Sequence, residues 1–156
     1  MSALEIFLRL LAATLVGGTL GLNRDLRGKP TGIRTLGLVG LGSALAVMAG
    51  GHIGGVGDTS RVIQGIVTGI GFLGAGVIVR AGSGFHVQGL TTAACTWLTA
   101  CFGVTCAVGD WQIVTIGLVL AFAVLLGGGP LEKMLRRHLR NEDEVAREKD
   151  PPTNIS

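Results

Sequence analysis

A chain of 156 residues is long enough for one domain, but its composition differs from that of a water-soluble domain. Hydrophobic residues make up 48% of the chain and charged residues only 15%, whereas soluble domains carry about 25% charged residues. These values exclude an ordinary soluble domain, and the formal net charge of +3 does not by itself indicate a nucleic-acid partner.

The few charged residues leave five apolar segments, each close to the length of about 20 residues that a helix needs to cross the hydrocarbon of a bilayer. We therefore predict an all-α, polytopic membrane bundle with about five transmembrane helices. The five predicted spans are Leu4 to Leu22, Leu36 to Val56, Val62 to Val79, Gly89 to Val108 and Trp111 to Gly129. Glu5 stands where a cleaved signal peptide would carry basic residues, so the first span is predicted to be retained.

The basic residues predict how these spans are oriented. With five spans, the first loop, the third loop and the C-terminal tail lie on one side of the membrane, and they hold most of the 13 Lys and Arg residues. Because cytoplasmic loops are enriched in Lys and Arg, the N-terminus is predicted to lie outside and the C-terminus in the cytoplasm.

Three carboxylates fall on the predicted outer side. Glu5 is one helical turn from Arg9 and is predicted to pair with it. Asp58 and Asp110 lie in predicted loops on the same side. Proteins commonly hold Mg²⁺ with one or two carboxylates and several waters, so Glu5, Asp58 and Asp110 are candidates for an outer mouth that admits a cation. The alternative is that the Glu5–Arg9 pair neutralises itself and that the aspartates only stabilise turns.

The loop after the first span is rich in charge. Five of its residues are candidates for a cytoplasmic loop motif: Asn23, Arg24, Asp25, Arg34 and Thr35. One interpretation pairs an arginine with Asp25 or with a helix C-terminus, which would fix the loop beneath the bundle. The other is that these basic residues only set the topology.

Residues 69 to 76 read GIGFLGAG and match the GxGxxG pattern of dinucleotide-binding loops. Such a loop follows a strand and needs an acidic residue about 20 positions later, but here the match lies inside an apolar span and no acid occurs between Asp58 and Asp110. On a helical wheel, bulky residues occupy one side of this span and small or polar residues the other. We predict that the bulky side faces lipid and that the small side packs against a neighbouring helix through Gly65, Gly69, Gly71, Gly74 and Gly76.

Threonines form one face of the fourth span. Thr92, Thr96, Thr99 and Gly103 recur at helical spacing and are predicted to point into the bundle. Packing is one role for them, and a polar path through the membrane is the other. The candidate lining of that path is Gln64, Thr68, Thr92, Thr96 and Thr99. The same spacing of small residues, Gly17 and Gly21, predicts close packing of the first span.

After Pro130 the pattern changes to that of an amphipathic helix with a basic face, which is typical of a segment attracted to anionic lipid. From Asn141 the chain is acidic and mixed, and Pro151 and Pro152 predict a disordered end. We therefore divide the chain into a transmembrane domain, residues 1–130, and a cytoplasmic helix with a disordered tail, residues 131–156.

The stretch GLNRDLRGKPTGIRTLGLVGLGSAL, Gly21 to Leu45, resembles the first signature of the MgtC/SapB membrane proteins. RVIQGIVTGIGFLGAGVIVRAG and VQGLTTAACTWLTACFG, which begin at Arg61 and Val87, resemble the second. The residues that match these motifs are Arg24, Gly32, Arg34, Thr35, Gly71, Gly74, Gly76, Gly89, Thr91, Thr92 and Trp97. Asn23 stands where many members have Glu, Leu36 stands where many have His or Asn, and the sequence lacks the C-terminal soluble domain of longer members.

The resemblance implies a bacterial inner-membrane protein associated with adaptation to low Mg²⁺ and, in some members, with virulence. Such a protein either transports Mg²⁺ or regulates another membrane complex, such as the proton-translocating ATP synthase. The sequence offers no nucleophile, base and orienting group for an enzyme, and no cofactor is expected beyond Mg²⁺ as ligand or transported ion. Expected partners are the lipid bilayer, a second copy of the chain or another membrane protein.

Overall fold

The computed structural model describes residues 1–80 and 87–149. Within them lie four helices, α1 (Ala3–Asp25), α2 (Ile33–Gly76), α3 (Leu90–Val108) and α4 (Trp111–Lys149). Two antiparallel strands of two residues each, β1 (Val79–Arg80) and β2 (Val87–Gln88), stand between α2 and α3. The predicted all-α class is therefore confirmed.

Local hydrogen bonds explain where the helices begin and end. Ser2 caps α1, because its hydroxyl accepts a hydrogen bond from the backbone N–H of Glu5 at 3.2 Å. Gly109, in the left-handed conformation at φ 89°, ends α3. Asp110 then starts α4, since its carboxylate accepts from the backbone N–H of Ile113 at 3.2 Å.

Helix α2 folds back on itself and forms a hairpin. A Cβ placed on Gly50 would lie 2.7 Å from Cγ2 of Val62, although twelve residues of straight helix span about 18 Å. A Cβ on Gly51 would likewise lie 3.6 Å from the hydroxyl oxygen of Thr59. The chain therefore reverses between Gly51 and Thr59. We call residues 33–52 the first limb of α2 and residues 57–76 its second limb.

The hairpin changes how the predicted spans are distributed. Four segments of the described residues are long and apolar enough to cross a membrane: Ala3–Asp25, Ile33–His52, Leu90–Val108 and Trp111–Gly129. The third predicted span, Val62 to Val79, needs a correction, because the helix ends at Gly76 and Val79 lies in β1. Turn hydrogen bonds from the N–H groups of Val77 and Ile78 stop that helix. The fifth crossing and the orientation of the chain stay predictions.

Close backbone approaches hold α1, α2 and α3 together. A Cβ on Gly17 would collide with the carbonyl of Leu36, and one on Gly21 would collide with the backbone of Ile33, so the packing role predicted for both glycines is confirmed. Gly40, on the first limb of α2, meets α1 in the same way, and Gly103 brings α3 against Gly40. Small residues thus let three helix backbones pack without bulky side chains between them.

The chain consists of two compact units, residues 1–116 and residues 117–156. The second unit contains most of α4, which continues through Pro130 to Lys149. The division of the chain at residue 130 stays a prediction. The predicted disordered end, with Pro151 and Pro152, lies outside the described residues.

Candidate functional site

The second limb of α2 is exposed on its small and polar side. Ile70, on the bulky side of that limb, is buried, whereas Gln64, Gly65 and Thr68 on the small and polar side are exposed. Ile66, Ile70 and Leu73 of the bulky side line a groove between the two limbs of the hairpin, and Leu73 is 52% exposed. That this bulky side faces lipid stays a prediction.

Of the five glycines predicted to pack this limb against a neighbour, Gly74 does so. A Cβ on Gly74 would lie 3.7 Å from the Cβ of Ala93 on α3, which is ordinary van der Waals contact. A Cβ on each of the other four would meet no atom of the described chain within 4 Å, so their packing role stays a prediction: Gly65, Gly69, Gly71 and Gly76. The small-residue surface of the second limb is therefore open in this structure.

The threonine face of α3 lies inside the bundle, as predicted. Thr92, Thr96 and Thr99 are all buried. The hydroxyl of Thr96 donates to the carbonyl of Thr92 at 2.9 Å, and that of Thr99 donates to the carbonyl of Cys95 at 2.8 Å. These bonds use the hydroxyl hydrogens within the helix itself.

The predicted polar lining is not assembled. Gln64 and Thr68 are exposed on the second limb of α2, while the three threonines of α3 are buried in the core. The sequence shows that both helices have a polar stripe, but it does not show that the two stripes point in different directions. The combined lining stays a prediction.

Glu5 and Arg9 form the predicted ion pair, with 2.6 Å between Oε1 and Nη2. The other terminal nitrogen of Arg9 also donates to the carbonyls of Ala107, at 2.6 Å, and Val108, at 2.8 Å. These carbonyls end α3, where the helix dipole favours a cation. Arg9 therefore joins α1 to the C-terminus of α3, a role that its spacing from Glu5 does not reveal.

The three candidate carboxylates lie at one end of the bundle. A cavity lined by Met1, His52, Thr59 and Val108 brings together the chain start, the reversal of α2 and the end of α3. Within the described residues, however, no three His, Cys, Asp or Glu side chains form a group that could hold a metal ion. Arg9 engages Glu5 and the first turn of α4 engages Asp110, so the predicted mouth is not assembled as one cluster.

The loop motif is ordered by its charged side chains, but with partners that the sequence did not indicate. The Asp25 carboxylate accepts from the backbone N–H of Ile33 at 2.9 Å and thereby caps α2, whose N-cap residue Gly32 has no side chain to do so. Arg24 turns away from Asp25 into the bundle, where Nη2 donates to the hydroxyl oxygen of Thr92. The prediction that an arginine fixes this loop by binding Asp25 or a helix C-terminus was wrong for Arg24.

Arg24 is the most enclosed charged group of the motif, with 4% of its surface exposed. Its Nε is buried and has no hydrogen-bond partner among the described residues, and the same holds for Oδ1 of the neighbouring Asn23. A contact that joins residues 68 positions apart leaves no signal in local periodicity. A single sequence therefore could not predict it.

Arg34 and Thr35 are exposed and line a groove of about 700 Å³ between the two limbs of α2. Its other walls include Ser43 of the first limb and Ile66 and Leu73 of the second limb. The groove exists because the two limbs of the hairpin lie side by side. The sequence predicted two separate spans and therefore did not predict the groove.

The apolar helices, the buried threonine face and the close backbone packing define a multi-pass helical membrane protein. The sequence profile of the MgtC family matches residues 10–134. The chain therefore belongs to the MgtC family, and the resemblance stated above is confirmed.

Several relatives agree with this assignment. The chain is 42% identical to SrpB of Synechococcus elongatus, and the alignment covers 84% of this chain and 79% of SrpB. It is 37% identical to YhiD of Escherichia coli K12 and 40% identical to MgtC of Brucella abortus, covering 78% and 81% of this chain. These alignments span only 59% of YhiD and 52% of MgtC. No solved structure matches the chain.

Proposed function

We propose that this chain serves Mg²⁺ homeostasis in the bacterial inner membrane, where it passes or senses a divalent cation during adaptation to low Mg²⁺. The observation that carries the proposal is the match to the MgtC family over residues 10–134, which includes most of the four apolar spans. The relative YhiD is described as a candidate magnesium transporter. The proposal includes no catalytic activity and no cofactor other than Mg²⁺ itself.

The outer carboxylates are the residues we assign to cation capture. Asp58 and Asp110 are exposed, and Asp110 uses one carboxylate oxygen for capping. Both stand at the end of the bundle where Glu5 is already neutralised by Arg9. Two exposed carboxylates attract a hydrated divalent cation without removing its waters, in the way that proteins usually hold Mg²⁺.

The test is Mg²⁺ flux into liposomes that contain the purified protein. In the double variant Asp58→Asn/Asp110→Asn we expect the flux to fall by about tenfold or more, the lower end of the effect of focused charge on association rates. Asn caps helices as well as Asp does, so the start of α4 is preserved while the charge is removed. Glu132→Gln, which removes a carboxylate after the last predicted span, is the control and should retain wild-type flux. Equal flux in all three proteins would reject the carboxylate mouth.

The open surface of the second limb favours a second candidate function, that of a non-transporting regulator. Gln64 and Thr68 are exposed on this surface. A Cβ placed on the neighbouring Gly65 or Gly69 would meet no atom of the described chain within 4 Å. Small and polar residues of this kind pack against other helices in membranes. The partner on this surface would be a second copy of the chain or another membrane complex, such as the proton-translocating ATP synthase.

This regulator is tested by filling the open surface. Gly65→Leu/Gly76→Leu should leave folding intact, since both positions have free space, and should reduce recovery of the partner in a cross-linking pull-down. Gly42→Leu, an open position on the first limb, is the matched control. Full recovery with the double variant, together with Mg²⁺ flux from the wild type, would reject the regulator and leave the transporter.

A further inference from the structure

Arg24 carries a buried positive charge whose partner is missing from the described residues. Its guanidinium donates to a neutral hydroxyl, that of Thr92, and its Nε is buried without a partner. Burial of a cation is unfavourable unless an opposite charge and further hydrogen bonds compensate for the lost water. The ion pair found in the part of the chain that the structure describes joins Glu5 to Arg9 instead.

Oδ1 of the adjacent Asn23 is buried without a hydrogen bond to Arg24, and other acceptors at the end of α1 are already used. The carbonyl of Arg24 itself accepts from the N–H groups of Arg27, at 3.1 Å, and Lys29, at 3.0 Å, and the carbonyl of Leu22 accepts from Leu26 at 2.9 Å. The Asp25 carboxylate binds the N–H of Ile33. Neither the end of α1 nor the adjacent acid therefore supplies the group that Arg24 lacks.

The two arginines that contact α3 lie at opposite ends of its dipole. Arg9 donates to carbonyls at the C-terminus, where a cation is favoured. Arg24 reaches Thr92 in the first turn, beside backbone N–H groups that carry partial positive charge. The N-cap residue of that turn, Gly89, provides no side-chain cap. A guanidinium and an uncapped helix N-terminus repel each other unless an anion lies between them.

We infer that a phosphate group binds at this place, between Arg24 and the first turn of α3. Its oxygens would accept from Nε of Arg24, from the first backbone N–H groups of α3 and from the hydroxyl of Thr92, whose oxygen already accepts from Arg24. Donors that approach from an arginine and from a helix end suit a tetrahedral anion with several acceptor oxygens. The phosphate belongs either to the headgroup of an anionic lipid or to a free ion, and the bound group would join α1 to α3.

The test measures the Tm of the full chain in a phosphate-free, non-ionic detergent. Inorganic phosphate and dioctanoyl phosphatidylglycerol are added separately, with dioctanoylglycerol as the phosphate-free comparison. We expect at least one of the two phosphate compounds to raise the Tm of the wild type and of Arg27→Gln, and expect Arg24→Gln to lose that rise. A rise with both compounds indicates a free phosphate site, and a rise with the lipid alone indicates a headgroup site. No rise with either compound, or an equal rise in Arg24→Gln, would overturn the inference.

A measurement on the wild type keeps the inference testable if Arg24→Gln fails to fold. Among the described residues, Arg9 and Arg24 have buried Nε groups without a partner. Both N–H groups should exchange slowly with water and be visible in the nitrogen-15 spectrum of arginine-labelled protein. Saturation with the phosphate compound should shift the signal of one of them, while the other serves as an internal reference. Two unchanged signals would refute the site.

Discussion

At the scale of single residues, the described chain contains two enclosed arginines, Arg9 and Arg24, that bind different partners. Arg9 donates to one carboxylate and two helix carbonyls, and it connects the first turns of α1 to the last turn of α3. Glu5 contributes to that arrangement through one half-exposed ion pair. The two partners of the same salt bridge therefore differ in how much of the structure depends on them.

This difference predicts unequal losses of stability. Arg9→Met keeps an apolar side chain but removes every donor. We expect it to lower the free energy of unfolding by at least about 2 kcal/mol, because even one hydrogen bond to a charged group contributes about 1.5–3 kcal/mol. Glu5→Gln should cost no more than about 1 kcal/mol, as expected for an exposed pair. Reversible unfolding with SDS in mixed micelles measures both. Equal losses in the two variants would show that the contacts of Arg9 with α3 contribute nothing.

At the scale of helices, close backbone approach distinguishes two neighbouring glycines of the first limb of α2. A Cβ on Gly40 would collide with the carbonyl of Ala13, whereas a Cβ on Gly42 would meet no atom within 4 Å. Both stand in the same helix and differ by two positions, so their intrinsic helix propensities are alike. The contact with α1 is the feature that separates them.

We therefore expect opposite effects from the same substitution. Gly40→Ala should lower the free energy of unfolding by about 1–3 kcal/mol, as overpacked positions do. Gly42→Ala should be neutral or stabilise the protein by up to about 1 kcal/mol, because alanine loses less backbone entropy. The same SDS unfolding series measures both variants. If Gly40→Ala were as stable as Gly42→Ala, α1 and the first limb would not be in backbone contact.

Features confined to one helix were predictable from the sequence, and features that depend on two helices were not. The spacing of Thr92, Thr96 and Thr99 placed the buried face of α3 correctly, because one helix fixes which residues share a face. Gln64 and Thr68 form a polar stripe whose direction depends on the hairpin of α2. The spacing of residues along one helix does not predict that hairpin. The contact of Arg24 with Thr92 was missed for the same reason.

At the scale of the whole molecule, the location of the C-terminus depends on whether the second limb of the α2 hairpin crosses the membrane. If the second limb of α2 crosses the membrane, the chain crosses five times and its ends lie on opposite sides. If the second limb does not cross, four crossings place both ends on the same side. The start of α3 would then lie on the opposite side of the membrane from Arg24, which contacts Thr92 in the structure. The basic loop between α1 and α2 fixes the starting orientation in either case, since Lys and Arg favour the cytoplasmic side.

Cysteine labelling in intact spheroplasts distinguishes these topologies, in a background where Cys95, Cys101 and Cys106 are replaced by Ala. With a membrane-impermeant maleimide, Gly57→Cys at the reversal should be labelled directly, and Lys29→Cys in the basic loop only after permeabilisation. Both positions are exposed, so access to the reagent depends on the side of the membrane. Ser156→Cys then decides the number of crossings. We expect it to require permeabilisation, because the basic segment after Pro130 favours the cytoplasm, and direct labelling would mean that the second limb does not cross.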